Sequence, residues 1–294
     1  MASTAISRRW LVSSRRRLRQ GACAVAVLIW LGLAALLCLL LQWRIWRRPG
    51  VAVLQPFMQP WFQVVVHLLG VRQSCAGRRP AAGTLLLCNH ISWLDIVVIG
   101  AQLPVRFVAK AEVRRWPLLG TLAAAAGTVF LQRGRRSGPD SSAEVKQLIG
   151  RALAAGELVL LFPEGTTSDG RRVRRFHARL IPAGYPVAPL ALAYRGDGAA
   201  AVPFLGADSL AASLWRLLAE RDVHAHLQLL RPVDDSDASQ PAHAAQQAVA
   251  RALAVPTAAT PVTPTVACGE NRSLSEDAIS DPAMTGSKMN KGPL

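Results

Sequence analysis

The chain has 294 residues and 51% of them are hydrophobic, which is enough for one large domain with a sizeable core and some appendages. Its net charge of +16 indicates an anionic partner. Because the basic residues lie around apolar segments, that partner is predicted to be an anionic membrane and not a nucleic acid. The five cysteines show no CxxC or Cys/His metal spacing, which argues against a cysteine metal site and favours single thiols.

The N-terminal region is predicted to contact a membrane. Residues 1–19 form a basic segment, and residues 21–41 carry no charge over a length that lets a helix cross a hydrocarbon core. We predict an anchor and not a cleaved signal, because the apolar run is long and no small-residue cleavage site follows it. Residues 51–71 are apolar but interrupted, which predicts an interfacial or re-entrant helix, so that residues 20–71 form one membrane unit.

The arginines set the expected orientation of this unit. More of them precede the first apolar run than follow it closely, which keeps the N-terminus in the cytoplasm. A single crossing would then carry the rest of the chain across the membrane. We therefore predict a membrane helix that is one arm of a helical hairpin, so that the chain returns to the side on which it started.

Residues 72–232 are predicted to form one α/β domain. A polar link is expected over residues 72–84, after which short apolar strands alternate with helical stretches. The strands are predicted over 84–89, 105–109, 127–131, 158–162, 186–194 and 223–230, and the helices over 92–103, 116–126 and 141–155. This alternation predicts a layered sandwich in which a mixed, largely parallel central sheet is flanked by helices.

The end of the chain is predicted to lie outside this domain. Residues 233–255 contain a small acidic patch and a modest helix, and we expect a short helical extension there. Residues 256–294 are rich in Pro, Thr, Ser, Ala and Gly and show no apolar period. That composition is typical of a disordered tail.

The first chemical motif directly follows the strand predicted over 84–89. His90 and Asp95 are five positions apart and do not meet on one continuous helix, but they can face each other if His90 lies in the loop and Asp95 in the first helical turn. An imidazole oriented by a carboxylate is a general base suited to removing a hydroxyl proton near pH 7. Ser92 is a good N-cap and forms a capping-box pattern with Asp95, so a structural role for Asp95 is the alternative.

The second motif, FPEGT, begins at Phe162, at the end of another predicted strand. Gly165 permits a tight turn, and the hydroxyls of Thr166 and Thr167 then line a loop that can hold phosphate or polar head-group oxygens. Glu164 can fix this loop or receive a hydrogen bond from an acceptor hydroxyl. An ordinary strand-to-turn connection is the alternative. Both motifs lie at strand ends, where open α/β sheets carry their active sites.

Taken together, the motifs resemble those of the glycerolipid acyltransferases, which acylate lysophosphatidic acid and related lysolipids. The family's Asn-His-x-x-x-x-Asp block is matched at 89–95 and its Phe-Pro-Glu-Gly-Thr block at 162–166. A Gly-x-x-Phe strand ending in Arg is matched at 127–133, and a Pro-Val-x-Pro strand at 186–189. The resemblance covers about residues 70–232.

The resemblance implies an O-acyltransferase of phospholipid biosynthesis at a bacterial-type inner membrane, with the catalytic domain in the cytoplasm. A fatty acyl group would move from acyl-CoA or acyl-carrier protein to a lysolipid hydroxyl, without a metal or a bound cofactor. His90 would be the general base and Asp95 its partner. The implied contacts for the acceptor head group and its phosphate are Glu164, Gly165, Thr166, Thr167, Lys110 and Arg133.

One departure from the family bears on the acceptor. Many phosphatidate-forming members have Arg after the FPEGT block, whereas this chain has Thr167, which leaves a phosphate with one donor fewer. We predict 1-acylglycerol-3-phosphate as the acceptor, with other arginines able to compensate: Arg133, Arg135, Arg136, Arg171 and Arg172. For Arg171 and Arg172, surface charge near anionic lipid is the favoured interpretation. The Ser-Asp-Gly ending at 168–170 also resembles enzymes that acylate lyso-ornithine lipids, which is the first alternative. A catalytically inactive, basic membrane-binding protein is an alternative of another class.

Overall fold

The computed structural model describes residues 17–34, 36, 55–116, 118–131, 140–233 and 241–254. Within these ranges seven strands form one sheet in the order β1-β7-β6-β2-β5-β3-β4. Among these pairs β6 and β7 run antiparallel and the others run parallel, as the sequence predicts for a mixed, largely parallel sheet. The strands are β1 (Val71–Gly77), β2 (Leu85–Cys88), β3 (Val105–Lys110), β4 (Val129–Leu131), β5 (Leu158–Leu161), β6 (Val187–Arg195) and β7 (Val223–Leu229).

Helices cover both faces of the sheet. One face carries an apolar cluster shared with the helices α1, α2, α3 and α6, and the other face carries a cluster shared with α5 and α7. The layered α/β sandwich predicted from the sequence is therefore confirmed. The helices are α1 (Arg17–Ala34), α2 (Gln55–Leu68), α3 (Leu94–Gln102), α4 (Leu119–Ala125), α5 (Asp140–Ala154), α6 (Leu210–Ala219) and α7 (Pro241–Ala254).

Strands β2 and β5 lie in the interior of the sheet because they are apolar on both faces. Leu86 and Leu160 belong to the first apolar cluster, whereas Leu85 and Val159 belong to the second, and each of these four side chains is fully buried. Alternate residues of a strand point to opposite faces, so a strand covered on both sides reads as one continuous apolar run. The carboxyl ends of β2 and β5 bring the two sequence motifs to one edge of the sheet.

The prediction of a polar link over residues 72–84 is wrong for its first part, because residues 71–77 form β1. This strand lies at the sheet edge and pairs with β7 alone. Arg72, Ser74 and Ala76 are exposed on one of its faces, so the strand lacks the apolar run by which the other strands were predicted. A one-sided edge strand is easily mistaken for a linker for this reason.

Helix α2, where we predict an interfacial helix, packs on α3 along one of its faces. Phe62, Val65 and Val66 are buried, while Phe57 remains 65% exposed. The packing is close at Gly100 of α3, where an added Cβ atom would lie only 2.3 Å from Cδ2 of Phe62. A glycine is therefore needed at this point of helix contact.

Helix α1 is held against the domain near both of its ends. The Arg19 guanidinium donates to the carbonyl oxygens of Leu218 and Glu220 at 3.2 Å each, and Gln20 donates to Trp215 O at 3.3 Å. Near the far end of the helix, Leu31 and Ala34 pack in a cluster with α2 and α4. The opposite face of the helix leaves a row of large apolar side chains exposed, and Leu36 beyond its described end is exposed too: Leu18, Val25, Leu28, Ile29 and Leu33.

By length and composition, α1 is the one helix of the described residues that could cross a membrane, with a mean hydropathy of 1.3 over 18 residues. Residues 37–54, which join α1 to α2, lie outside the described residues, as do the acidic patch at 234–237 and the tail predicted over 256–294.

Candidate active site

The loop that follows β2 is fixed by the side chain of Asn89. Its amide group donates to Leu192 O and accepts from Leu192 N, both at 2.9 Å. Asn89 therefore replaces a backbone group in the ladder between β2 and β6, and it is buried, as a fully paired amide can be. The chain leaves the sheet at this point, with His90 as the first residue beyond it.

His90 and Asp95 lie in direct contact. His90 Nδ1 is 2.8 Å from Asp95 Oδ2, and the Asp95 carboxylate is fully buried while the His90 side chain is 17% exposed. Because Nδ1 faces a carboxylate, the neutral imidazole carries its proton on Nδ1 and leaves the lone pair on Nε2. The ring therefore offers a proton acceptor on the side away from Asp95.

Asp95 also organises the loop around His90. Its Oδ2 accepts from the backbone N–H groups of Ile91 at 2.6 Å and Ser92 at 3.0 Å, and its Oδ1 accepts from the Tyr194 hydroxyl at 2.8 Å. These donors compensate the burial of the carboxylate. Ser92 was predicted as the N-cap of α3, but the helix begins at Leu94 with Trp93 in the capping position and no side-chain cap. The bond from the Ser92 backbone N–H to the Asp95 carboxylate is one of the two bonds of a capping box, and Asp95 makes it in addition to its bond to His90.

The ring of Phe162 holds the His90 imidazole from its face. The two ring centroids are 3.9 Å apart and the planes are inclined by 15°. With Nδ1 bonded to Asp95 and one face covered by Phe162, the imidazole is restrained in both tilt and rotation. The first residue of the second motif therefore orients the His90 imidazole of the first motif.

The loop that follows β5 is tied to the His90 loop by its backbone. The Ser168 backbone N–H and hydroxyl both donate to His90 O, at 2.8 and 3.1 Å. Gly165 adopts φ +70°, a conformation that favours glycine, and donates to Phe162 O at 3.2 Å, which closes the turn. The Thr167 hydroxyl donates to Phe204 O. The two motifs thus form one hydrogen-bonded unit at the edge of the sheet.

Glu164 is buried with one half of its carboxyl group in use. Oε1 accepts from the His90 backbone N–H at 3.2 Å, whereas Oε2 is buried and finds no hydrogen-bond partner among the described residues. Burial raises the pKa of Glu164 to about 7, although the His90 backbone N–H, the His90 ring and Arg174 all act to lower it. An unpaired buried oxygen beside His90 can accept a hydrogen bond from a bound hydroxyl, or donate one when the carboxyl group is protonated.

The other residues predicted for the site are placed less closely. Thr166 is exposed on the loop, and the Thr167 hydroxyl is occupied by Phe204 and does not face open space. Lys110 is exposed at the carboxyl end of β3, which lies beside β5. Arg133 lies outside the described residues. Within the described ranges, no group of three His, Cys, Asp or Glu side chains is placed to hold a metal ion.

Sequence reasoning missed two contributors to this arrangement. Tyr194 is one of two tyrosines in the chain, and its contact with Asp95 depends on the register of β6 against β2, which a single sequence does not reveal. Ser168 lies in the stretch already noted for its resemblance to other enzymes, but its bonds to His90 O are visible only in the structure. The one available signal for Tyr194 was a polar aromatic residue inside an otherwise apolar strand.

The arrangement is suited to acyl transfer. Nε2 of a restrained imidazole can take the proton of a hydroxyl group as that oxygen attacks a thioester carbonyl, and the neighbouring carboxylate stabilises the imidazolium that forms.

Comparison with known proteins identifies acyltransferases as relatives of this chain. A family model described as Acyltransferase matches residues 70–193. A lyso-ornithine lipid O-acyltransferase of Pseudomonas aeruginosa is 41% identical over 218 residues, which is 70% of this chain and 83% of that protein. A protein of the same description from Rhizobium meliloti is 40% identical over 46% of this chain and 50% of its own length. A 1-acyl-sn-glycerol-3-phosphate acyltransferase of Neisseria meningitidis is 36% identical over 46% of this chain and 54% of its own length.

One solved structure supports the fold. The lysophosphatidic acid acyltransferase PlsC of Thermotoga maritima aligns with a TM-score of 0.56 and covers 82% of this chain and 95% of that one. The two sequences are 19% identical, so this likeness bears on architecture alone.

Proposed function

The chain belongs to the Acyltransferase family and is a lysolipid O-acyltransferase, and from that premise we propose that its acceptor is a lyso-ornithine lipid. The similarity to the Pseudomonas aeruginosa enzyme carries this proposal, because it extends over 83% of that protein. The expected acceptor, 1-acylglycerol-3-phosphate, has weaker support, since the relatives named for it match about 46% of this chain.

The site adds a physical reason to prefer lyso-ornithine lipid over 1-acylglycerol-3-phosphate as the acceptor. Phosphatidate-forming members often carry Arg where this chain has Thr167, and the Thr167 hydroxyl donates its hydrogen bond to Phe204 O. Neither a cation nor a free hydroxyl is therefore offered to a phosphate at this position. A head group without phosphate does not require a phosphate-binding donor at position 167.

His90 is the proposed general base. As the acceptor oxygen bonds to the thioester carbonyl carbon, its proton moves to Nε2 of His90. The carbon–sulfur bond then breaks, and the imidazolium returns the proton to the departing thiolate. Asp95 stabilises the imidazolium without taking its proton. The donor is an acyl thioester, either acyl-CoA or acyl-carrier protein.

The acceptor head group is proposed to lie against the loop at the end of β5. Glu164 Oε2 lacks a partner there, and Gly165 and Thr166 border it. Lys110 and Arg133 remain proposed cationic contacts, Lys110 because it ends the strand next to β5.

The apolar face of α1 is proposed to lie in an anionic membrane. Its exposed row of large apolar side chains is opposite the face that packs on the domain, which is the arrangement of a helix that lies along a bilayer surface. The basic residues of the N-terminal segment 1–19 would attract anionic lipid. With bacterial relatives of this kind, we place the protein at the inner membrane with its catalytic domain in the cytoplasm.

Thiol release by the full-length protein tests the proposal. Lyso-ornithine lipid and 1-acylglycerol-3-phosphate are offered side by side in vesicles, each with acyl-CoA and with acyl-carrier protein as donor. We expect faster release with lyso-ornithine lipid, and none with the His90→Ala variant, which should still bind vesicles. A preference for 1-acylglycerol-3-phosphate would overturn the acceptor assignment. Equal background release by wild type and His90→Ala on both acceptors would favour the inactive membrane-binding alternative.

A further inference from the structure

The structure leaves the acceptor loop without a cation at position 167, but a cation lies nearby from a later part of the chain. After Gly170 the chain returns along the β5 loop, and His177 N donates to Pro163 O at 3.0 Å. Phe176 is buried at 4% exposure, and its N–H donates to Gln246 of α7 at 3.4 Å. These contacts anchor the segment 171–177 beside the FPEGT loop.

Arg174 lies in this anchored segment and reaches the loop. Its Nη1 is 3.5 Å from Thr167 O, on the residue that stands where other members have Arg. Its positive charge also acts on Glu164, where it opposes the rise of the carboxyl pKa. Arg174 is therefore close to both Thr167 and Glu164, although it lies outside the FPEGT motif.

The guanidinium of Arg174 has donors to spare. The residue is exposed, and among the described residues no carboxylate lies within ion-pair distance of it. A guanidinium carries five N–H donors in a planar fork, of which the contact with Thr167 O uses one. The remaining donors match the geometry of a carboxylate or a phosphate group.

We propose that Arg174 binds the anionic group of the acceptor head. This proposal rests on the proposed lysolipid acceptor. Ornithine acylated on one amine keeps a carboxylate and one ammonium group, so the anion of that head is a carboxylate. In 1-acylglycerol-3-phosphate the corresponding anion is a phosphate monoester. Either group presents two oxygens to the guanidinium.

The neighbouring Arg171 does not share this position. Arg171 has an 88% exposed side chain whose nearest carboxylate is Asp169 at 4.0 Å, and its backbone N–H also bonds to Asp169. Arg171 is thus held by its own turn. It is a matched control for Arg174, because it has the same charge, lies on the same loop and is likewise exposed.

A change of charge on the acceptor separates binding of the anion from support of the loop. Lyso-ornithine lipid with a free carboxylate is compared with its methyl ester, for wild type, Arg174→Gln, Arg174→Lys and Arg171→Gln. We expect Arg174→Gln to raise KM for the free acid roughly tenfold, the size of one charge-assisted hydrogen bond, and to change KM for the ester by less than about twofold. Arg174→Lys should recover part of the loss, and Arg171→Gln should match wild type on both lipids.

Two results would overturn the proposal. Equal rises of KM on acid and ester would show that Arg174 only supports the loop, and an unchanged KM on the acid would show that it does not contact the head group. Failure of the acceptor assignment is recognised separately, because wild type would then turn over 1-acylglycerol-3-phosphate instead. In that case 1-acylglycerol-3-phosphate and uncharged monoacylglycerol replace the acid and the ester. Binding of each lipid to the His90→Ala protein gives the same comparison without turnover.

Discussion

The Tyr194 hydroxyl donates to Asp95 Oδ1 at 2.8 Å, on the carboxylate oxygen that does not face His90. Burial and the Asp95 charge raise the pKa of Tyr194 well above its usual value, so the hydroxyl stays a donor at any pH at which the protein works. A side chain of strand β6 thereby fixes the oxygen of the Asp95 carboxylate that His90 does not contact.

Replacing Tyr194 by Phe should slow catalysis without weakening binding of the acceptor. The change leaves one buried oxygen of Asp95 without its donor, and we expect kcat to fall about tenfold, the equivalent of one hydrogen bond to a charged group. Steady-state kinetics on lyso-ornithine lipid would measure this. Tyr185→Phe is the control, since Tyr185 lies beside α5 near Gly150. Wild-type kcat in Tyr194→Phe would mean that Asp95 needs no support from β6.

Replacing Phe162 by Leu should loosen the His90 ring. The stacked contact at 3.9 Å between centroids would be lost, and an aromatic contact of this kind stabilises by about 0.5–1.5 kcal/mol. We expect a decrease of about two- to tenfold in kcat, with KM for the acceptor unchanged. Phe162→Tyr keeps the aromatic plane and should retain most of the activity. If Leu and Tyr behaved alike, stacking would not be what positions the imidazole.

Glu164 should make stability depend on pH. In the unfolded chain this carboxyl group titrates near 4.5, whereas in the folded protein its pKa is about 7. Between these values the folded state holds one proton more than the unfolded state, so the free energy of unfolding falls as pH rises from about 4.5 to about 7, and this contribution is absent above it.

Thermal unfolding of wild type and Glu164→Gln between pH 5 and 8 would measure this effect of Glu164. Wild type should lose a few degrees of Tm across this range relative to the variant, whose amide does not titrate; each kcal/mol corresponds to about 2–4 °C for a domain of this size. Parallel Tm curves for the two proteins would contradict the raised pKa.

Gly100 should tolerate no side chain. An Ala Cβ atom there would lie 2.3 Å from the Phe62 ring, which is itself packed against Trp61 and Phe107 and has little room to move. We expect Gly100→Ala to lower the free energy of unfolding by about 1–3 kcal/mol. Denaturant unfolding of the full chain in detergent would report this.

Gly150→Ala is the matched control for this helix contact. Gly150 lies in α5, and the nearest atoms to its added Cβ would be those of Tyr185 at 3.7 Å, an ordinary contact. Alanine favours a helix by about 0.5–1 kcal/mol over glycine, so this variant should equal or exceed wild type in stability. Destabilisation of both variants to the same extent would show that steric conflict with Phe62 is not the cause.

The interior strands and the motif loops could be predicted because their determinants are local. Four consecutive apolar residues in β2 and in β5 indicate strands buried on both faces, and the residues after each strand necessarily share an edge of a parallel sheet. The turn at Gly165 follows from glycine itself, and it adopts the positive φ that the sequence suggests. Strand β1 was missed because one of its faces is polar and exposed.

The contributors that escaped prediction depend on how separate parts of the fold pack together. Tyr194 meets Asp95 only through the register of β6, and Arg174 reaches Thr167 only because the segment behind it is anchored on Pro163 and α7. Neither relation leaves a pattern in a single sequence. The sequence therefore predicts the base and its carboxylate, and the folded chain adds the groups that hold and surround them.

The attachment of α1 at both ends has a kinetic consequence. A helix of 18 residues is about 27 Å long, and with α6 holding its start and α2 and α4 its end, the domain stays at a fixed height above any leaflet in which the outer face of α1 rests. An enzyme held in this way meets its lipid by lateral diffusion in two dimensions. Its velocity should then follow the mole fraction of lysolipid in the bilayer and be insensitive to dilution of the vesicles at constant composition.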